Sequence, residues 1–332
     1  MRKKKIAFIA TGGTIACVPG PEGMRPAFTE KEMIELVPEI SEMAQIQGYL
    51  IMNIDSTNMQ PEDWKIIAEK TADALEDCDG AVISHGTDTL AYTSSALTYM
   101  LTNLKKPVVI TGSQRSIGEE NSDAAKNLTD SFKVAVSQNP GVFVVFGGDI
   151  IIGDRASKLK TESFDAFKSI NVPLAGQVLK KIQWNEDVLK KEQKRIKGVW
   201  EDLPKDNGKN FNLEKPVALY NYIDPRVLLV KLYPGIEPDI LLYALEKKYH
   251  SVLIEGFGAG GVPFRESRNL INAIKKLTSS GIKVAVTTQV TFEGVNLVRY
   301  EVGRKALEAG AVSTGDMTRE AALVRLMMKS KI

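Results

Sequence analysis

Threonine hydroxyls stand at two points where a β-rich run gives way to glycine, Thr11-Gly12-Gly13-Thr14-Ile15-Ala16 and His85-Gly86-Thr87-Asp88-Thr89. In the first, the glycines admit positive φ and let a ligand approach the backbone, so that Thr14 would present its hydroxyl to a carbonyl carbon. Taken alone, the same residues also describe a tight turn after a strand. They lack the lysine and spacing of a phosphate-cradling loop. In the second motif, Asp88 beside Thr87 would meet a ligand ammonium, because a charge withdrawn from water needs a partner. Asp88 or Thr89 would otherwise cap the following helix. Two threonines with a carboxylate suit a site that holds a zwitterionic amino acid and attacks its side-chain amide. Ser56, in Asp55-Ser56-Thr57-Asn58, with the backbone donors of Asp55 to Thr57, would take the α-carboxylate. Gly86, Thr87 and Ser113 complete the expected lining.

A threonine hydroxyl is a weak nucleophile and needs a base, yet His85 and His250 are the only histidines. Lys158, in a polar loop beyond Gly147-Gly148-Asp149, is the candidate; a lysine so placed is otherwise simply solvated. A neutral lysine is favoured by desolvation and opposed by a nearby carboxylate such as Asp88. Cys17 and Cys78 are the only cysteines, which points to neither a disulfide framework nor a thiolate zinc site. No metal is expected, and a reducing, cytoplasmic setting fits. The 43 Lys and Arg against 41 Asp and Glu leave +2, with no field to recruit nucleic acid or an anionic membrane. The basic start Met1-Arg2-Lys3-Lys4-Lys5 resembles a signal-peptide n-region, but the apolar run Ile6 to Ala10 is too short for the rest of one. No stretch approaches the ~20 apolar residues of a membrane span.

These side chains need a frame, and 332 residues suffice for about two domains. Strands are expected at Lys5 to Ala10, Leu50 to Ile54, Gly80 to Ser84, Pro107 to Thr111 and Val142 to Phe146. Helices follow: Thr29 to Glu32 reads as a capping box opening one through Leu36, Pro61 starts another, and two more cover Ser94 to Leu101 and Ser122 to about Val136. Such alternation predicts an α/β fold with a parallel sheet covered on both faces. Ligands then bind beyond the carboxyl ends of the strands, where Thr14, Ser56, Thr87 and Ser113 converge. Ile150 to Ile152 reads as a hairpin strand. Residues from about Asn185 to Pro216 read as charged and irregular, with a turn at Asp206-Asn207-Gly208-Lys209. The expected division is therefore a larger N-terminal catalytic domain at 1–190, a linker at 191–215 and a smaller C-terminal α/β domain at 216–332. In the last, strands are expected at Val227 to Leu232, Ser251 to Glu255 and Lys283 to Thr287, and helices at Asp239 to Tyr249, Arg265 to Thr278 and Met317 to Met328.

Thr14 in TGGTIA, Ser56 in DSTN, Thr87 and Asp88 in HGTDT, Lys158 in ASKLKTESFDAF, and Leu232 to Ile236 in LYPGI together resemble the bacterial-type L-asparaginases, most closely the cytoplasmic type I branch. The likeness runs from Ile6 to Met328, and the TGGTIA and HGTDT pair is highly specific. The resemblance implies hydrolysis of the side-chain amide of L-asparagine without a cofactor. It implies Thr14 as nucleophile, a second triad of Thr87, Lys158 and Asp88, and substrate held by Asp55, Ser56, Thr57 and Asp88. It further implies an intimate homodimer, often paired into a homotetramer, with active sites between subunits. Two positions depart from the pattern. A tyrosine usually helps activate the first threonine from the following loop, but the stretch Glu22 to Pro26 carries Met24, and a thioether neither donates nor takes a proton. Where relatives place an asparagine that reaches a neighbouring site, this chain has Gly261.

Other readings remain. Gly256, Gly258 and Gly261 spell G-x-G-x-x-G after a strand, as in a dinucleotide site, but Pro263 interrupts the helix start and no acidic residue follows Thr287-Thr288-Gln289 for a ribose. A weakly catalytic amino-acid sensor is prompted by Met24. An ammonia-supplying amidase subunit of a tRNA-dependent amidotransferase is the third; such subunits normally carry an extra N-terminal domain, whereas here the catalytic motif begins at once with Ile6.

Overall fold

The run Lys4–Gly12 forms strand β1, buried from Ile6 onward, as a strand covered on both faces must be. In the computed structural model, which describes residues 2–20, 23–204 and 217–332, seven further strands join it: β2 Ala44–Ile54, β3 Gly80–Ser84, β4 Pro107–Thr111, β5 Gly141–Phe146, β6 Asp149–Ile152, β7 Gly176–Val178 and β8 Ile182–Trp184. Their order in one sheet is β2-β1-β3-β4-β5-β6-β7-β8. The first five pair in parallel. The last three pair antiparallel, so the sheet is mixed rather than wholly parallel. The reason is local: Gly147 and Gly148, both at positive φ, turn the chain in two residues, far fewer than a parallel crossover needs.

Helices α1 Glu30–Leu36, α2 Pro38–Met43, α3 Pro61–Asp77, α4 Leu90–Met100, α5 Ala124–Val136 and α6 Glu186–Glu201 belong to the same unit. The Thr29 and Glu32 capping box forms as expected, and Pro38, which ends α1, opens α2. Ile6, Phe8 and Ala10 join the core under α1, α2 and α5, with the Phe8 ring 5.7 Å from Phe132. Side chains alternate across a strand, so Ala7 and Ile9 face the other way, toward α3. Two helix expectations need correction. The helix placed at Ser94 begins four residues earlier, because Leu90 and Ala91 are also core residues. Residues 186–201, expected to be irregular, form α6: Val188, Leu189, Glu192, Ile196 and Val199 are buried, and the exposed lysines between them are its wet face. The turn expected at Asp206 to Lys209 lies outside the described residues.

The chain divides into two compact units, one running to Glu201 and including 217–221, the other comprising 202–204 and 222–332. In the second, strands β9 Val227–Lys231, β10 Ser251–Gly256, β11 Lys283–Thr288 and β12 Val312–Ser313 lie in sequence order, all parallel. Helices α7 Asp239–Glu246, α8 Leu270–Ser279, α9 Glu301–Glu308 and α10 Arg319–Met327 accompany them. Helix α8 starts later than expected because Asn269 caps it, accepting from Ile271 N at 3.0 Å; α9 and β12 had no expectation. The glycine fingerprint is not a dinucleotide loop. Gly260 and Gly261 both donate backbone N–H groups to Phe257 O, closing a tight turn, and the next α-helix opens only at Leu270.

Candidate active site

Strand order reverses at β1, whose neighbours are β2 on one side and β3 on the other, and this is where open α/β sheets bind ligands. Two glycines allow the strand ends to meet there. Gly13, at φ 80, passes so close to Gly86 that a Cβ on Gly13 would lie 2.2 Å from Gly86 Cα and N. A Cβ on Gly86 would in turn lie 2.5 Å from Ser56 Oγ. Thr14 and Thr87, the residues immediately after these glycines, are thereby brought to one place, with Ser56 beside them.

Thr14 opens a short 3-10 turn, Thr14–Ala16, and is half-buried. Among the described residues, no group hydrogen-bonds its hydroxyl. Ser56 is buried, and its carbonyl accepts from Thr89 Oγ1 at 2.7 Å. Asp55 caps the 3-10 turn Ser56–Asn58, accepting Thr57 N at 2.8 Å and Thr57 Oγ1 at 2.6 Å. Those two bonds hold the Asp55 carboxyl below its ordinary range despite some burial. Asp55 and Thr57 thus spend these groups on each other and on the shape of the loop that presents Ser56.

Thr87 is buried, Asp88 exposed. Lys158 joins them: its Nζ donates to Thr87 Oγ1 at 2.7 Å and to Asp88 Oδ1 at 2.7 Å. It arrives at the end of a short strand, Ala156–Lys158, paired antiparallel with Phe167–Ser169. His85 is fully buried and burial depresses its pKa to about 4. Nδ1 lies 2.7 Å from Gly86 O, and a carbonyl only accepts, so Nδ1 carries the proton. Nε2 then accepts from Thr93 Oγ1, 2.9 Å away. This imidazole braces the loop; it is no proton carrier near neutrality.

Ser113 is buried and donates its hydroxyl to Arg115 O, so it shapes its own loop. That loop is pinned by Asp123, which accepts Gln114 N and Arg115 N, and by Asn127, which donates to Gly112 O at 3.0 Å and accepts from Gly147 N at 3.0 Å. Thr93, Asp123 and Asn127 carried no local signal in the sequence, since each acts on a partner brought close by the fold. The Met24 side chain lies outside the described residues; its backbone belongs to the ribbon pairing Cys17–Gly20 with Gly23–Pro26. Gly261 sits in the turn of the second unit described above. The arrangement offers a Thr14 hydroxyl without a hydrogen-bond partner among the described residues and, beside it, a hydroxyl, amine and carboxylate linked in series. That combination suits nucleophilic attack on an amide with proton transfer.

The family pattern described as asparaginase, N-terminal, matches residues 5–190, and that of the glutaminase/asparaginase C-terminal domain matches residues 226–330. The chain is 40% identical over 324 residues to the L-asparaginase of Thermococcus kodakarensis, covering 97% of this chain and 92% of the relative. A solved structure of the thermostable L-asparaginase from that organism superposes with a TM-score of 0.84 at 38% identity, covering 98% and 92% of the two chains. Nearly as similar is a glutamyl-tRNA(Gln) amidotransferase subunit of Pyrococcus abyssi, 39% identical over 334 residues, covering 97% of this chain and 71% of that protein. The L-asparaginase I structure from Vibrio cholerae O1 biovar eltor str. N16961 matches with a TM-score of 0.80 at 28% identity over 98% and 92% of the chains. With both domain patterns matched in order over nearly its whole length, the chain belongs to the asparaginase family of amidohydrolases and is similar in structure to the type I enzymes.

Proposed function

We propose that the protein is an L-asparaginase that hydrolyses the side-chain amide of L-asparagine to L-aspartate and ammonia. The observation that carries this reading is the Lys158 Nζ bonded to both Thr87 and Asp88 beside the Thr14 turn. Thr14 Oγ attacks the amide carbon and its proton passes to the departing nitrogen, leaving an ester on Thr14 and free ammonia. Water then attacks the ester, with Thr87 and Lys158 relaying its proton back to Thr14 Oγ. Asp88 keeps a second carboxylate oxygen for the substrate ammonium, and Ser56 with its neighbouring backbone donors takes the α-carboxylate. Removing either hydroxyl tests whether the reaction needs it. Thr14→Ala and Thr87→Ala should each cut ammonia release from asparagine by at least about 100-fold, read with a coupled ammonia assay. Near-wild-type turnover in either variant would sink the assignment.

A homodimer is part of the same proposal. Phe257, Val290, Phe292, Val298 and Tyr300 of the second unit are all exposed, Val298 by 63%, and these apolar side chains are the ones a partner subunit would cover. Two buried free thiols, Cys17 and Cys78, fit a reducing, cytoplasmic compartment. No described helix is long and apolar enough to cross a membrane.

The identity to the amidotransferase protein of Pyrococcus abyssi favours a second reading, an amidase that supplies ammonia to a partner enzyme. Ammonia release from asparagine by the purified chain alone, compared with release in the presence of glutamyl-tRNA(Gln) and a partner enzyme, separates the two. Turnover that requires the additions would favour the second.

A further inference from the structure

Lys158 is held from behind by charges that the chemistry above does not use. The stretch leading to it leaves β6 through Gly153, Asp154 and Arg155. Asp154, 2% exposed, accepts from Tyr99 Oη at 2.7 Å and from the Arg195 guanidinium at 2.7 Å. Arg155, equally buried, donates Nε to Glu192 Oε2 at 3.2 Å, and the same oxygen accepts Arg195 Nε at 2.6 Å. Among the described residues, two acids and two bases therefore alternate between this loop and α6. Helix α4 closes the frame. Its Ser94 Oγ donates to Gly153 O at 2.6 Å, and a Cβ on Gly153 would lie 2.4 Å from Thr98 Oγ1. Helix α4 is also the element that begins just after Thr87 and Asp88 and whose Thr93 braces His85.

From this anchor to Lys158 the chain has little freedom. Arg155 O accepts Ile170 N at 2.8 Å, residues 156–158 pair with 167–169, and Leu159 N donates to Ala166 O at 2.7 Å. The Phe167 ring packs on Phe146, with centroids 5.0 Å apart. Buried ion pairs are a poor means of gaining stability, since apolar residues of similar volume hold a helix to a loop at least as firmly. Apolar packing would not fix the register of the loop. Directional, charge-assisted hydrogen bonds do so.

We infer that Asp154, Arg155, Glu192 and Arg195, with Tyr99, are positioning residues that set the Lys158 Nζ against Thr87 Oγ1, so that proton transfer depends on the docking of α6. The inference rests on the role proposed above for Lys158 in amide hydrolysis. Glu192→Gln removes the charge that both guanidiniums share while keeping the shape. Its crystal structure should show Nζ beyond hydrogen-bonding distance of Thr87 Oγ1. With asparagine, kcat should fall roughly 10- to 100-fold while KM stays within about twofold, because a misplaced proton acceptor affects the chemical step rather than binding. The pH profile of kcat should shift too, which a merely structural lesion would leave in place. Arg155→Lys should retain more kcat than Arg155→Met. If Glu192→Gln does not fold, Tyr99→Phe removes one hydroxyl only and should show a smaller displacement of the same kind. A folded variant with Nζ in place and both kcat and pH profile unchanged would overturn the inference. A wild-type protein that releases ammonia from no amide would overturn the functional reading instead, and the Nζ to Oγ1 distance would still decide the positioning.

Discussion

At Gly13 the requirement for glycine is contact before conformation. A methyl there would meet the Gly86 backbone, and backbone cannot swing aside as a long side chain can. Gly315 also has positive φ, 61°, but nothing lies within 4 Å of a Cβ built on it. Gly13→Ala should therefore cost more than about 4 kcal/mol or prevent folding, whereas Gly315→Ala should cost about 1 kcal/mol from left-handed strain alone. Urea unfolding of the two variants checks the difference. His85 supports a second prediction. Unfolded, its pKa is near 6.5; folded, it is about 4. Between those values the unfolded state binds more protons, so stability is full above pH 6.5 and declines as pH falls through 4, by about 3 kcal/mol for this group. Denaturation midpoints measured from pH 7 to pH 4 should show that slope, and His85→Gln should flatten it. A wild-type midpoint that does not move over this window would remove the neutral, buried imidazole from the account.

Helix α6 shows how an element escapes a reading based on composition. Its lysines fill the face turned to water, and its buried face consists of Val188, Leu189, Ile196 and Val199 together with Glu192. A carboxylate in the middle of an apolar stripe breaks the 3.6-residue pattern, and its compensation, Arg155 and Arg195, is invisible until the loop before Lys158 is seen docked. Leu189→Ala should lower stability by roughly 2 to 5 kcal/mol, while the exposed Lys190→Ala should stay within about 0.5 kcal/mol; chemical denaturation followed by circular dichroism distinguishes them. The three antiparallel strands β6 to β8 were only partly legible for a related reason. Ile150 to Ile152 reads as a hairpin strand, but β7 and β8 are three residues each, too short for any periodicity.

At the scale of the molecule, each unit has its own core, one around β1 and α5 and the other around β10 and α8. The exposed apolar side chains of the second unit give the proposed homodimer its test. Phe292→Asp with Val298→Asp should shift the protein toward monomer in sedimentation or light scattering, while the near-ultraviolet circular dichroism of the folded chain persists. A wild-type protein that is monomeric at micromolar concentration would end that part of the proposal.

What the amino-acid order determined by itself was the set of local decisions. Apolar runs of strand length, Thr29 and Glu32 as a capping box, proline at the first turn of α3, and glycine next to threonine at two strand ends all act within a few residues of themselves. They suffice to expect an α/β fold and to gather Thr14, Ser56 and Thr87 at one edge of it. Tertiary structure decided what those side chains do there. Ser113, Asp55 and Thr57 make hydrogen bonds within their own loops, and Lys158, which in sequence is one lysine among many, is bonded to Thr87 and Asp88 across some seventy residues. A hydroxyl or an ammonium takes whichever partner the fold leaves within about 3 Å, and that choice is made only when the whole chain has closed around it.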